Sequence, residues 1–248
     1  MSIKIHTRES DLRHLFKTNG YVAVQEAINL KQLQKVQDDM KKIVKLNPFK
    51  ISVETDFDTG IKSMNQKNLH LFQIAASQLW SLYSLTDPLM NLIRIIVGDE
   101  KVLFHVGQGF VLGLPNDQRL AYNWHQDGTH HPNSLEHIHV WFPIFRGVNI
   151  KNGAMSFLED SHKQGLLNYE KHKALSDGYT TNLVSGLEEV VKTHDEIYCE
   201  INLGDCLFFN DEMIHKSNIN QTNLCRVAGV MKVSLDPRFE VHAGLVGV

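Results

Sequence analysis

"LGDCLFFNDEMIHKSNINQTNLCRVAGVMKV", Leu203–Val233, holds two short β-rich runs, "DCLFFN" and "CRVAGVMKV", set apart by Asn-rich chain. Runs of β-branched and aromatic residues bounded by Gly, Asn, Asp or Pro read as strands. The same texture extends back to Lys101 through "KVLFHVGQGFVLG", "RLAYNWH", "EHIHVWFPIF", "GAMSFLE" and "EIYCEINL". Many short strands punctuated in this way predict a sandwich or barrel, and the jelly roll is one way to build it.

Upstream of Lys101 the pattern is helical. In "NLKQLQKVQDDMKKIVKL", Leu30, Leu33, Val36, Met40, Ile43 and Val44 recur at three- and four-residue steps and make one apolar stripe. "DLRHLFKTNGYVAVQEAI" predicts a short helix, a stop at Gly20 and a strand at Tyr21–Val24. "LHLFQIAASQLWSLYSL" predicts a third helix, and "DPLMNLIRIIVG" a fourth, opened by Asp87–Pro88 and closed by Gly98. The expected fold is mainly β with flanking helices, the N-terminal helices packing on one sheet. Residues 1–248 are expected to form one domain: 1–100 as helical support and 101–240 as the β core. An insertion at about 163–195, polar and weakly periodic, offers a place for a lid.

The 248 residues carry a formal net charge of −3 and 42% hydrophobic residues. The basic residues are scattered, so neither nucleic acid nor an anionic membrane is an expected partner. Three cysteines, an odd count without CxxC spacing, do not make a disulfide framework. The opening "MSIKIHTRESDLRHLF" lacks an apolar signal core, and nothing approaches the roughly 18 apolar residues of a membrane span. The expectation is a soluble protein of the reducing cytoplasm, acting on a small molecule. Its oligomeric state is not readable from the chain.

"NWHQDGTHH", Asn123–His131, supplies the candidate chemistry. Side chains at i and i+2 of a strand share a face, so His125 and Asp127 can converge on one ion. Alone the pair says little: with 14 histidines, roughly one chance H-x-D match is expected. It gains weight from His215, at the end of a strand–turn segment, and from Arg226, eleven residues further on. Two histidines and a carboxylate make the facial triad of non-haem Fe(II) oxygenases, which leaves three coordination positions open. A nearby guanidinium suits the far carboxylate of a dicarboxylic 2-oxo acid. Ser217, two residues after His215, is placed to assist. His194/Glu196 and His137/His139 are competing pairs, but the first leaves Arg226 without a role and the second lacks the following Glu of a cupin site. His130 and His131 adjoin Pro132 in a loop. Together with His139 they are candidates for substrate contact, though solvation explains them as well.

"WHQD", "VWFPIF", "NGAMSFLEDSHKQG", "GDCLFFNDEMIHKSN" and "CRVAGVMKV", in that order, resemble the phytanoyl-CoA dioxygenase family, and "LFKTNGYVAVQEAI" is similar to its N-terminal opening. The resemblance implies a double-stranded β-helix, a jelly-roll form, that uses Fe(II), 2-oxoglutarate and O2. Carried over residue by residue, it makes His125, Asp127 and His215 the iron ligands, with Arg226 and Ser217 on the distal carboxylate of 2-oxoglutarate. It further places Trp141 in the co-substrate pocket, where an ordinary core aromatic is the competing explanation, and it offers Gln108 as a further lining residue. The implied reaction is oxidative decarboxylation of 2-oxoglutarate to succinate and CO2 coupled to oxidation of a small organic substrate, usually hydroxylation. "LEDSHK" departs from the family's Pro-Gly before Ser-His-Lys, which puts substrate entry in doubt rather than iron binding. Asp127 argues against the related halogenases, which lack that carboxylate. The rival readings are a Zn(II)- or Mn(II)-dependent hydrolase or isomerase, and a non-catalytic module that binds 2-oxoglutarate or another ligand.

Overall fold

Asp11 and Gly20 bracket the first helix as the stop and start signals require. The Asp11 carboxylate accepts from the backbone N–H of His14, and α1 runs over Leu12–Asn19. Gly20 ends it at φ +75°, a left-handed conformation open to glycine at no steric cost. In the computed structural model, residues 1–7, 10–98, 104–118, 121–130, 137–170 and 183–234 are described.

The chain then forms β2 (Tyr21–Val24), which runs parallel to β1 (Ile5–His6). α2 (Leu30–Val44) buries Leu33, Val36, Met40, Ile43 and Val44, while Leu30, in its first turn, stays exposed. α3 (Phe57–Lys62), α4 (Gln66–Ser77), α5 (Trp80–Tyr83) and α6 (Thr86–Val97) follow. The helix predicted over "LHLFQIAASQLWSLYSL" is thus two helices. The break at Gln78–Leu79 keeps Leu82 and Leu85 inside and leaves Trp80 out in solvent.

Two sheets make the β core. The larger is ordered β1-β2-β9-β4-β11-β3, with β3 Phe104–Gly113, β4 His137–Pro143, β9 Cys206–Asn210 and β11 Arg226–Ser234. The smaller is ordered β10-β5-β8, with β5 Met155–Leu158, β8 Glu196–Tyr198 and β10 His215–Ser217. The period-2 alternation of side chains assigns the two faces of the larger sheet. Val22, Phe208, Val140, Phe142, Met231 and Leu112 pack outward against the helices. Ala23, Leu207, Phe209, Trp141 and Ala228 point inward, meeting Met155, Phe157, Ile197 and Cys199. Each fully buried Phe in these layers contributes ~1.5–3 kcal/mol by area removed from water. This is the jelly roll with helices on one sheet.

Within the stretch read as an insertion, the described residues form a 3₁₀ turn at Ser161–Gln164, the paired β6 (Tyr169–Glu170) and β7 (Leu183–Val184), and α7 (Leu187–Thr193). Residues 171–182, where much of the expected lid falls, lie outside the described residues. No described helix is long and apolar enough to cross a membrane. The three cysteines are buried and none is in a disulfide. One tie sets the start of β11: Asp58 of α3 pairs with Arg146 at 2.8 Å and accepts from the backbone N–H of Cys225, while Arg146 also donates to the Cys225 carbonyl.

Candidate metal centre

His125 and His215 sit directly opposite one another, exchanging two backbone hydrogen bonds of 2.9 Å, with ring centroids 4.2 Å apart. Each ring is oriented from behind. His125 Nδ1 lies 2.6 Å from the Asn123 carbonyl and His215 Nδ1 2.9 Å from the Met213 carbonyl. A carbonyl oxygen only accepts, so each Nδ1 carries the proton and each Nε2 presents its lone pair, the tautomer a metal requires. Asp127 completes the set. Its Oδ1 is 3.7 Å from His125 Nε2 and its Oδ2 is 3.7 Å from His215 Nε2. One donor atom from each of the three residues lies within 4.8 Å of the others, and this is the arrangement among the described residues that is able to hold a metal ion.

The electrostatics suit cation binding. Burial, reinforced by the neighbouring His215, pushes His125 down to about 3, and burial likewise lowers His215. Burial alone would raise the Asp127 carboxyl, but His139, His215, His125 and Lys232 around it hold it well below the usual carboxylate range. Neutral imidazoles beside an ionised carboxylate are the protonation states that ligate.

The local backbone differs from the strand that the spacing predicts. Within 121–126 the described pairing is the single bridge at His125, and Asp127 opens a 3₁₀ turn, Asp127–His130. Gln126, fully buried between the two ligands, accounts for the departure. Its amide donates to the carbonyls of Gly165 and Glu212 and accepts from the Leu167 N–H, while Gly128 N–H donates to the Asp211 carbonyl. These bonds pull the chain off the sheet after His125 and aim Asp127 at the histidines.

Arg226 begins β11 on its inner face and is 2% exposed. Nη1 donates to the Gly153 carbonyl at 2.7 Å, whereas Nε and Nη2 have no partner among the described residues. Burial depresses the guanidinium only to about 10, so it stays charged. A buried cation with two unsatisfied N–H groups is the complement of a missing carboxylate. Room is left as well: among the described residues, a Cβ at Gly107 or Gly109, on the inner face of β3, would meet nothing within 4 Å.

The remaining sequence-derived positions divide. Trp141 lies on the inner face, buried in the apolar layer between the sheets. Ser217 shares the His215 side of β10, its N–H bonded to the Tyr122 carbonyl, and borders a cleft of about 620 Å³ with Gln118, Asn123 and Lys216. Gln108 is a correction. Strand alternation turns it to the helix side, among Leu82, Leu85, Thr86 and Leu89, away from the metal centre. His139, a candidate for substrate contact, is buried beside the metal centre between two carboxylates, 2.6 Å from Asp211 and 3.1 Å from Asp127. His130 is exposed at the end of the 3₁₀ turn, and His131 lies outside the described residues.

Sequence reasoning missed Gln126, Asp211 and Lys232. The last two had a signal: a second cation in the otherwise apolar strand "RVAGVMKVS", six residues from Arg226 and so on its face, and an acid two residues beyond Phe209, just past the end of β9.

The fold is shared with several solved proteins. EvdO2 from Micromonospora carbonacea var. aurantiaca, complexed with 2-oxoglutarate, superposes with a TM-score of 0.65 at 13% identity, covering 95% of this chain and 94% of that one. The epimerase SnoN in complex with Fe3+, alpha ketoglutarate and nogalamycin RO gives 0.61 at 13% identity, covering 90% and 82%. The carbocyclase SnoK from nogalamycin biosynthesis gives 0.59 at 14%, covering 91% and 83%. At these identities the likeness is one of fold. A probable phytanoyl-CoA dioxygenase of Caenorhabditis elegans is 22% identical over 243 residues, 90% of this chain and 76% of the relative. The class is that of 2-oxoglutarate-dependent dioxygenases. Residues 16–228 match the phytanoyl-CoA dioxygenase (PhyH) family, and the chain belongs to it.

Proposed function

We propose that the protein hydroxylates a small organic metabolite, consuming 2-oxoglutarate and O2 and releasing succinate and CO2. In this reading His125, Asp127 and His215 hold Fe(II). Arg226, with Ser217 assisting, grips the distal carboxylate of 2-oxoglutarate, and Trp141 walls the pocket. Bound iron supplies the oxidising chemistry. The chain's own part is to orient the co-substrate, seat the C–H bond in the space over Gly107 and Gly109, and keep water out.

The observation that carries the reading is the pair of unpartnered N–H groups on buried Arg226. A hydrolase or isomerase built on Zn(II) or Mn(II) can use the same three ligands but gives that guanidinium no acceptor. One domain and a reducing cytoplasm belong to the same proposal. Succinate release from Fe(II)-loaded protein, screened over a metabolite panel and paired with oxygen uptake, tests it. A metabolite that raises both together and gains one oxygen supports hydroxylation. Metabolite turnover that consumes neither O2 nor 2-oxoglutarate overturns it.

A further inference from the structure

Residues 216–225 separate the candidate ligand His215 from Arg226, and one buried side chain keys them to the larger sheet. Asn220, 2% exposed, uses all its hydrogen-bonding capacity. Nδ2 donates to the carbonyls of Gly113 (2.9 Å) and Leu224 (2.7 Å). Oδ1 accepts from the N–H and the hydroxyl of Thr222, at 3.0 and 2.7 Å, and the Asn220 carbonyl accepts from Asn116 N–H at 2.7 Å. Gly113 is the residue that faces Arg226 across β3 and β11. The same loop packs on Gly153, whose carbonyl accepts from Arg226 Nη1. At φ +87°, a Cβ on Gly153 would lie 2.8 Å from the Asn218 carbonyl oxygen and 3.2 Å from the Asn220 nitrogen. Towards His215, Asn218 Nδ2 donates to the Ala154 carbonyl and to Ser156 Oγ, at 2.7 and 2.6 Å. The chain between β10 and β11 is thus fastened to Gly113 and Gly153, the two residues that flank the guanidinium.

We propose that Asn220 is a positioning residue: by holding Gly113 and the start of β11, it fixes the span between Arg226 and the metal ligands, and so selects the length of the dicarboxylic 2-oxo acid. This rests on the ligand assignment and the co-substrate role proposed above. An acid held at the three ligands by its 2-oxo end and at Arg226 by its far carboxylate bridges two fixed points. One methylene more or less then misplaces one end. A buried amide with every donor and acceptor engaged makes its surroundings rigid, and truncating it strips a donor from the Gly113 and Leu224 carbonyls. With that latch gone, Arg226 can shift and the span no longer discriminates.

Anaerobic titration of Fe(II)-loaded protein with 2-oxoglutarate and with 2-oxoadipate, one methylene longer, followed through the visible charge-transfer band, tests this by binding without turnover. Wild type should favour 2-oxoglutarate. Asn220→Ala should weaken 2-oxoglutarate binding about tenfold, as expected for two lost hydrogen bonds, and cut the preference over 2-oxoadipate at least about threefold. Its Fe(II) affinity should stay within about twofold of wild type. Thr222→Val, which removes only the hydroxyl on Asn220 Oδ1, should move binding and preference in the same direction by a smaller factor. It carries the test if Asn220→Ala does not melt cooperatively. Asp11→Ala, which uncaps α1 outside the site, should lower stability and leave the preference alone. Folded Asn220 and Thr222 variants that keep the wild-type affinity and preference, or that lose Fe(II) in equal measure, overturn the proposal. A preference moved equally by Asp11→Ala, or a wild type indifferent between the two acids, overturns it as well. Wild type that binds Fe(II) and neither acid overturns the proposed function and this inference with it.

Discussion

Arg226 and Gly113 face each other across β11 and β3 so closely that a Cβ at 113 would come within 2.7 Å of the guanidinium Nε. The glycine leaves the volume that the buried Arg226 side chain occupies. Gly113→Ala should therefore push the guanidinium out of line while leaving the metal ligands alone. The expected result is at least about a tenfold rise in the 2-oxoglutarate concentration for half-maximal rate, equivalent to ~1.4 kcal/mol, with Fe(II) affinity kept. An unchanged co-substrate requirement would remove the pair from this role.

Arg226→Ala goes further. A charge-assisted hydrogen bond is worth ~1.5–3 kcal/mol, so 2-oxoglutarate binding should weaken roughly 10- to 150-fold. Arg226→Lys should fall between, since a lysine keeps the charge but loses the planar fork. The cut should fall on 2-oxoglutarate and spare Fe(II), as equilibrium titration of each would show. Equal losses for both would point to a damaged fold instead.

How much of this was legible beforehand depended on whether a residue's role was written locally. Gly20, the strand Tyr21–Val24 and the helix ended by Gly98 were readable because caps and alternation are short-range signals. His125, Asp127 and His215 stand out by residue type and order along the chain rather than by strand pattern, since Asp127 opens a 3₁₀ turn and β10 reads His-Lys-Ser, whereas Arg226 stands out as a charge in the apolar run of β11. Gln108 went wrong because the register of β3 decides which face a residue takes, and Gly107 and Gly109 beside it show no apolar alternation from which to read that face. The surroundings of His139 are hidden in the sequence because Asp211 and Asp127 lie 72 residues ahead and 12 behind, the first brought beside it by the pairing of β4 with β9 and the second by the 3₁₀ turn after His125. The 3₁₀ turn at Asp127 depends on Gln126 finding carbonyls at Gly165 and Glu212, a long-range contact without a sequence mark.

Acid should destabilise the metal-free protein. His125 and His215 have folded pKa values below the ordinary 6.5, so below that pH the unfolded chain binds more protons than the folded one, and stability falls as pH falls. For His125 the loss runs down to about 3, at up to ~1.4 kcal/mol per pH unit. Asp127 and Asp211, also depressed, add loss of the same sign once pH drops below the ordinary carboxylate range. Urea midpoints measured on the apo protein should decline steadily from pH 7 to pH 4, whereas a flat or rising curve would show that these side chains are not buried as described.

The central question is whether iron and 2-oxoglutarate meet in this pocket. Mixed with the protein under strict anaerobiosis, Fe(II) and 2-oxoglutarate should give a weak visible metal-to-ligand charge-transfer band. The band should vanish when Zn(II) replaces Fe(II), when 2-oxoglutarate is omitted, and in folded Asp127→Ala. A wild-type sample that binds Fe(II) yet shows no band with saturating 2-oxoglutarate, or an Asp127→Ala sample that shows it undiminished, would contradict the assignment.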